Sequence, residues 1–292
     1  MANIELIKIL RDRTGAGMMD CKNALDAAEN DVDKAIAWLR EKGISKQANK
    51  ASRIAAEGLC QINICEACNS GIISELNCET DFVAKSDDFA NLINLTNQII
   101  LKNKIESVEK AIAHPEVVEA FTNATVKLGE KLSLRRFEII SKTAENGFGR
   151  YIHLGGKIGV IIVLEKADEE LAKGLAMHIA ANAPKYITTE EISSQAREEE
   201  RHIQLEAAKN DEKLKSKPEA ALEKIIEGKL NKVFGEFTLT EQEFLLEPGK
   251  TIATVLKEKG NRVLKFVRYN VGEGLEKRKD NFAEEVMAQA NN

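Results

Sequence analysis

The chain has 292 residues, 43% hydrophobic and 30% charged, with a net charge of -5, four histidines and five cysteines. That length has room for about two domains, and the composition is that of a globular chain, not a disordered one. The negative balance argues against broad nucleic-acid binding, which needs Lys and Arg to neutralise phosphates. The longest wholly apolar run, Ile158-Gly159-Val160-Ile161-Ile162-Val163-Leu164, is too short to span a bilayer.

Met1-Ala2-Asn3-Ile4-Glu5 carries no apolar signal-peptide core, so a cytoplasmic location is expected. Residues 1–43 read as three short helices. The first places Ile4, Ile7 and Leu10 on one face and ends near Thr14-Gly15. The second begins after Asp20 as N-cap, turns Ala24, Leu25 and Ala28 inward and breaks at Asn30-Asp31. The third holds Val32, Ala35, Ile36 and Leu39 and stops at Gly43 as its C′ residue. So small a unit has a marginal core of its own. Met18 and Met19 fall in the glycine-rich turn between the first two helices and cannot both enter the same core. Two readings stay open for them: an adaptable protein-binding surface, or one methionine filling a core gap and the other incidental.

Ile44 to Glu57 reads as a basic linker or short helix, followed by a β-hairpin over 58–78. Thr80-Asp81-Phe82-Val83-Ala84-Lys85 then lies at a strand-to-helix junction, a place where a scaffold presents side chains to partners. Ser86-Asp87-Asp88 caps a helix to about Lys102, with Phe89, Leu92, Ile93, Ile99 and Ile100 as its apolar face. One unbroken helix from Thr80 would put Phe82 on the same face as Phe89 and Ile93, and spacing alone favours Phe82 as core. Pro115 suits the first position of a helix reaching Leu128-Gly129, and Leu132–Ile140 alternates as a strand.

The pattern then recurs. Arg150–Leu154 and Lys157–Leu164 form a second hairpin around Gly155-Gly156, and Asp168 opens a helix with Leu171, Leu175, Ile179 and Ala180. In both halves a glycine (Gly71, Gly159) starts an apolar strand and an aspartate (Asp81, Asp168) follows about ten residues later, which suggests a duplicated β-β-α unit. Thr188-Thr189-Glu190-Glu191 has the form of a capping box opening a long charged helix. Residues 197–232 hold nine Lys/Arg and nine Asp/Glu, broken at Lys215-Ser216-Lys217-Pro218, so two solvated helices with narrow apolar seams form an αα-hairpin. Thr251 caps a helix to Lys259, Val263–Val271 alternates as a strand, Gly272-Glu273-Gly274 turns, and a terminal helix carries Phe282, Val286 and Met287.

Cys60, Cys65, Cys68 and Cys78 have the C-x4-C-x2-C…C spacing of some iron–sulfur proteins. A strand would point Cys60 and Cys65 to opposite faces, however, which favours small buried hydrophobes over a cluster. An odd number of cysteines also suits a reducing compartment better than a disulfide framework. No P-loop, G-x-G-x-x-G, G-x-S-x-G or H-E-x-x-H occurs. His114, His153, His178 and His202 have no evident nucleophile partner in the sequence, so no catalytic residue, cofactor or metal site is expected and an enzyme is not.

Three stretches together resemble the bacterial translation elongation factor Ts family: Arg13-Thr14-Gly15-Ala16-Gly17-Met18-Met19-Asp20-Cys21-Lys22 with Ala24-Leu25; Asn77-Cys78-Glu79-Thr80-Asp81-Phe82-Val83-Ala84-Lys85; and Met177-His178-Ile179-Ala180-Ala181. Val271-Gly272-Glu273-Gly274-Leu275-Glu276-Lys277 supports them. The resemblance implies an α+β protein: a ubiquitin-associated-like three-helix domain with linker (1–55), core subdomains N (56–141) and C (142–184 and 235–271), a coiled-coil hairpin insertion (185–234) and a C-terminal helical module (272–292). It implies a guanine nucleotide exchange factor that binds elongation factor Tu–GDP, displaces Mg²⁺ and promotes GDP release in translation elongation, with no cofactor of its own and no direct nucleic-acid or membrane partner. Thr80, Asp81, Phe82 and Val83 would dislocate the partner's Mg²⁺, Phe82 wedging between helices of its G domain. Met18, Met19, Leu128 and Gly129 would also meet the G domain, and His153 another domain of the partner. Where the family has His-Gly, this chain has His153-Leu154-Gly155-Gly156, so His153 matches its pattern least well. The competing readings are an adaptor that binds helical partners without exchange activity, and a metal protein built on the cysteines.

Overall fold

The computed structural model describes residues 3–49, 53–211, 214 and 217–275; the predicted terminal helix and Lys215-Ser216 of the predicted break lie outside them. The chain is a mixed α+β protein with two three-stranded antiparallel-hairpin sheets, ordered β1-β2-β3 and β4-β5-β6. It divides into two units, one of Met1–Ser141, Ile152–Gly159 and Tyr269–Asn292, the other of Lys142–Tyr151 and Val160–Arg268.

The first unit opens with α1 (Ile4–Thr14), α2 (Met18–Ala27) and α3 (Val32–Asn49). Leu10, Ala16, Cys21, Ala24, Leu25, Ala35 and Leu39 make their shared core. Two boundaries differ from the sequence pattern. Helix α2 starts at Met18 behind Gly17, so Asp20 lies in its first turn and is not its cap; a carboxylate there still favours the positive end of the helix. Gly43 does not end α3 but sits inside it, because α3 crosses α7 (Pro115–Leu128) at this point. A Cβ on Gly43 would stand 2.6 Å from Val126 Cγ2 and 3.1 Å from Thr122 Cγ2. The glycine that looked like a stop signal is what lets two helices approach.

Strands β1 (Glu57–Cys65) and β2 (Ser70–Cys78) pair through nine residues each, joined by a 3₁₀ turn at Glu66–Cys68, and β3 (Ser133–Ser141) lies on the other side of β2. Between them run α4 (Asp81–Ala84), α5 (Asp87–Asn103), α6 (Val108–Ala113) and α7. The six-residue α6 carries too short a pattern to read from spacing. Phe89, Leu92, Ile93, Ile99 and Ile100 of α5 pack with Ile72, Leu76, Val117 and Phe121 in one core, the predicted apolar face of a helix meeting the sheet.

One carboxylate is enclosed in this unit. Glu75, at the centre of β2, is fully buried. It accepts from Arg135 Nη1 at 2.9 Å, Arg136 Nε at 2.6 Å and the Gly272 amide at 2.8 Å. Burial alone would raise its pKa, but the Gly272 amide and the two guanidiniums outweigh it, and the carboxyl stays below its ordinary value. The turn at Gly272-Glu273-Gly274 is thereby tied to the sheet.

The element order is then repeated by strands whose bodies fall in the second unit and whose ends fall in the first. Strands β4 (Gly147–His153) and β5 (Ile158–Leu164) form a hairpin, helix α8 (Glu169–Asn182) follows behind the predicted cap Asp168, and β6 (Val263–Asn270) completes the sheet. Helices α9 (Ser194–Asn210) and α10 (Glu219–Phe237) pack together, with Ile192, Ile226, Leu230 and Phe234 as the buried seam. The expected capping box at Thr188–Glu191 forms only a 3₁₀ turn. Ile192 takes an extended conformation and joins the seam, so the helix restarts behind Ser193, whose side chain accepts the Ala196 amide at 3.1 Å. Helix α11 (Ile252–Glu258) starts behind Thr251 as predicted.

Candidate functional site

Thr80 to Lys85 is a single helical turn with its own start and stop. Thr80 is extended (φ -125°, ψ 156°) and its hydroxyl accepts the Val83 amide at 3.3 Å. Ser86 ends the turn and opens α5: its hydroxyl donates to the Val83 carbonyl at 2.7 Å and accepts the Phe89 amide at 3.3 Å. The helix is therefore not continuous, and the register that would have buried Phe82 does not exist. Ala84 is buried and Val83 packs partly against the core, while Phe82 is 82% exposed. Phe82 is thus an exposed phenylalanine held on a fixed turn.

The turn is anchored by a residue that the sequence pattern gave no reason to notice. In a capping box the third helical residue reaches back to the cap amide; here that residue is Val83, which cannot. Glu130 supplies the acceptor instead. Its Oε2 accepts the Glu79 and Thr80 amides at 3.0 Å each, and its Oε1 accepts the Thr80 hydroxyl at 2.6 Å. Glu79 returns the link by accepting the Lys131 amide at 2.6 Å. The reciprocal clasp joins the turn to the end of α7, so Leu128 and Gly129 stand beside the Thr80 segment. Leu128 is half-buried against the core. Gly129 is the left-handed C-cap of α7 (φ 72°). No local signal could have found Glu130, because its partners are some 50 residues away in the sequence.

Asp81 is exposed and bonds Lys85 Nζ at 2.6 Å. That hydrogen bond, with smaller help from Lys157, holds its carboxyl below the ordinary range, and the same bond raises Lys85. Lys157 follows the β4–β5 turn and is ion-paired with Glu57, which lies opposite Cys78 across the β1–β2 ladder. The turn is thus at the same end of the first sheet as Thr80. His153 is exposed at the end of β4. Its neighbour Leu154 is 69% exposed with φ 49°, an apolar side chain held outward that sequence reading passed over.

Met18 and Met19 are 60% and 64% exposed on the first turn of α2, so neither fills a core gap. Just before them, Gly15 comes so near Lys127 that a Cβ there would meet the lysine stem at 2.9 Å, and Lys127 Nζ bonds Asp88 Oδ1 at 2.6 Å. Contacts within the first unit therefore run from the methionine turn through Lys127 to Leu128-Gly129, and through Glu130 to Thr80.

The cysteines do not gather. Along the β1–β2 ladder Cys60 faces Glu75, Cys65 faces Ser70 and Cys78 faces Glu57. Burial pushes the Cys60 and Cys78 thiols up to about 12, with Glu75 and Glu130 respectively adding to it. Among the described residues no group of three or more His, Cys, Asp or Glu could hold a metal ion. The expectation of no disulfide is corrected at one place: the 3₁₀ turn sets Cys65 and Cys68 with Cα atoms 5.3 Å apart, and they are bonded. His178 is fully buried, with Nε2 on Gln242 Oε1 at 2.8 Å and Nδ1 accepting the Leu245 amide at 3.2 Å. Among the described residues no helix is long and apolar enough to cross a membrane.

The sequence model of one family, described as Elongation factor TS, matches residues 79–273. The match includes Thr80–Val83, Leu128, Gly129, Glu130 and His153, and begins after the methionine turn.

Proposed function

The chain belongs to the elongation factor Ts family, and on that premise we propose that it binds elongation factor Tu–GDP, displaces Mg²⁺ and promotes GDP release. The family is one of nucleotide exchange factors for elongation factor Tu in translation elongation, not of enzymes in the usual sense. The observation that carries the finer reading is Phe82, 82% exposed on a turn clamped from both sides. We read the chain as a ubiquitin-associated-like domain (1–55), two related subdomains (56–141; 142–184 with 235–271), a hairpin insertion (185–234) and a C-terminal module (272–292). The matching strand order of the two sheets supports the related pair.

A GTPase holds GDP through backbone amides around the phosphates and a shared Mg²⁺. A rigid aromatic entering beside a switch helix moves that helix and strips ligands from the metal. Thr80 and Glu130 hold the wedge in place, Val83 roots it in the core, and Asp81 is kept ionised beside it. Factor and nucleotide then antagonise each other reciprocally. A ten-thousand-fold acceleration would need about 5.5 kcal/mol of coupling, whereas burying one phenylalanine supplies about 1.5–3 kcal/mol. The remainder requires further surface, for which Met18, Met19, Leu128, Gly129, His153 and Leu154 are the candidates.

The test is stopped-flow release of a fluorescent GDP analogue from elongation factor Tu. Acceleration at substoichiometric chain is the expected result. Binding without acceleration would leave an adaptor, and the exchange reading would fall.

A further inference from the structure

We propose that Cys65 and Cys68 form a reversible thiol–disulfide site that exchanges with small zwitterionic disulfides entering the groove beside them. Three observations carry the inference. Cys68 is exposed and Cys65 half-exposed, whereas Cys21, Cys60 and Cys78 are buried; reactivity needs an accessible thiolate. The bond closes a loop of only three steps along a hairpin already held by a nine-residue ladder, and a loop so short restricts the unfolded chain little, so structural stapling is a poor account of the pair. Both cysteines line an open groove of about 1250 Å³, at the opposite end of the β1–β2 hairpin from Thr80. Its charged lining is mixed, Lys102 and Lys104 with Glu106 and Glu138, Lys102 and Glu106 being paired also with Glu116 and Lys110, so the groove presents both signs, as a peptide disulfide does.

The chemistry balances without any other reactant. The Cys68 thiolate attacks one sulfur of RS–SR, that bond breaks, and RS⁻ leaves. Cys65 then gives up its proton and attacks Cys68 Sγ, releasing the second RS⁻. Two protein thiols become one disulfide and one small disulfide becomes two thiols; excess small thiol reverses both steps.

The test uses the full chain in buffers of graded reduced-to-oxidised glutathione, quenched with acid, alkylated and weighed intact, with peptide mapping. The expected result is a loss of two hydrogens mapped to Cys65–Cys68, fully reversed by reduced glutathione, with Cys21, Cys60 and Cys78 unmodified. Cys65→Ser should trap one glutathione on Cys68, and Cys68→Ser should react at least tenfold more slowly. Failure to oxidise across the series, a bond that glutathione cannot reduce, or an untrapped Cys65→Ser variant of unchanged melting temperature would each overturn the proposal.

Discussion

Phe82 and Val83 are neighbours in sequence and opposite in environment, one exposed and one packed on the core. Truncating the exposed ring removes no folded-state contact of consequence. Phe82→Ala should therefore shift stability by less than about 0.5 kcal/mol while slowing GDP release from elongation factor Tu by about 30-fold, a loss typical of a central hot spot. Unchanged release with a lower melting temperature would return Phe82 to the core. Glu130 predicts the opposite balance. Glu130→Ala leaves the Glu79 and Thr80 amides and the Thr80 hydroxyl without their acceptor. It should cost about 1–3 kcal/mol in denaturant unfolding, with Glu130→Gln, which keeps one acceptor oxygen, recovering part of both stability and exchange.

At the scale of elements, α3 crosses α7 at Gly43 and the three-helix unit leans on the rest of its own contact unit there. Alanine is the better helix former by about 1 kcal/mol, but its methyl would press on Val126 and the Thr122 carbonyl. Overpacking of that kind costs about 1–3 kcal/mol. Gly43→Ala should thus lower the midpoint of denaturation, and a stabilised variant would mean that the crossing is looser than described. The same comparison explains the misread boundary: glycine after an apolar pattern signals a helix stop only when nothing packs against it.

For the molecule as a whole, two buried groups set the response to acid. His178 is held below its ordinary value of 6.5 by burial, which outweighs the Gln242 hydrogen bond. The unfolded chain therefore takes up its proton first, and stability present above pH 6.5 declines as pH falls toward the folded value. Glu75 is depressed below 4.5, so its contribution is complete above that pH and is lost as pH drops through the folded value. Melting temperature should accordingly fall in two stages, one starting near pH 6.5 and one in the carboxylate range. His178→Gln should remove the first stage, as thermal melts across pH would show. Glu75→Gln should remove most of the second and cost about 3 kcal/mol at neutral pH, since it leaves two guanidiniums short of their counter-charge.

The sequence by itself determined the repeat of hairpin and helix, the caps Ser86, Asp168 and Thr251, the end of α7 at Gly129, and the family, because periodicity, turn chemistry and short motifs are local quantities. Where spacing and motif disagreed about an apolar residue, the folded structure decided. Spacing argued for Phe82 as core and the family motif for an outward wedge; the hydroxyls of Thr80 and Ser86, through bonds local to the turn, break the helix around it and turn it outward. Glu130 as cap acceptor, Gly43 as a crossing point, Ile192 as seam and Leu154 as exposed apolar surface were illegible for a common reason. Each depends on a partner or a packing surface that only the folded chain brings alongside, and no window of sequence contains both.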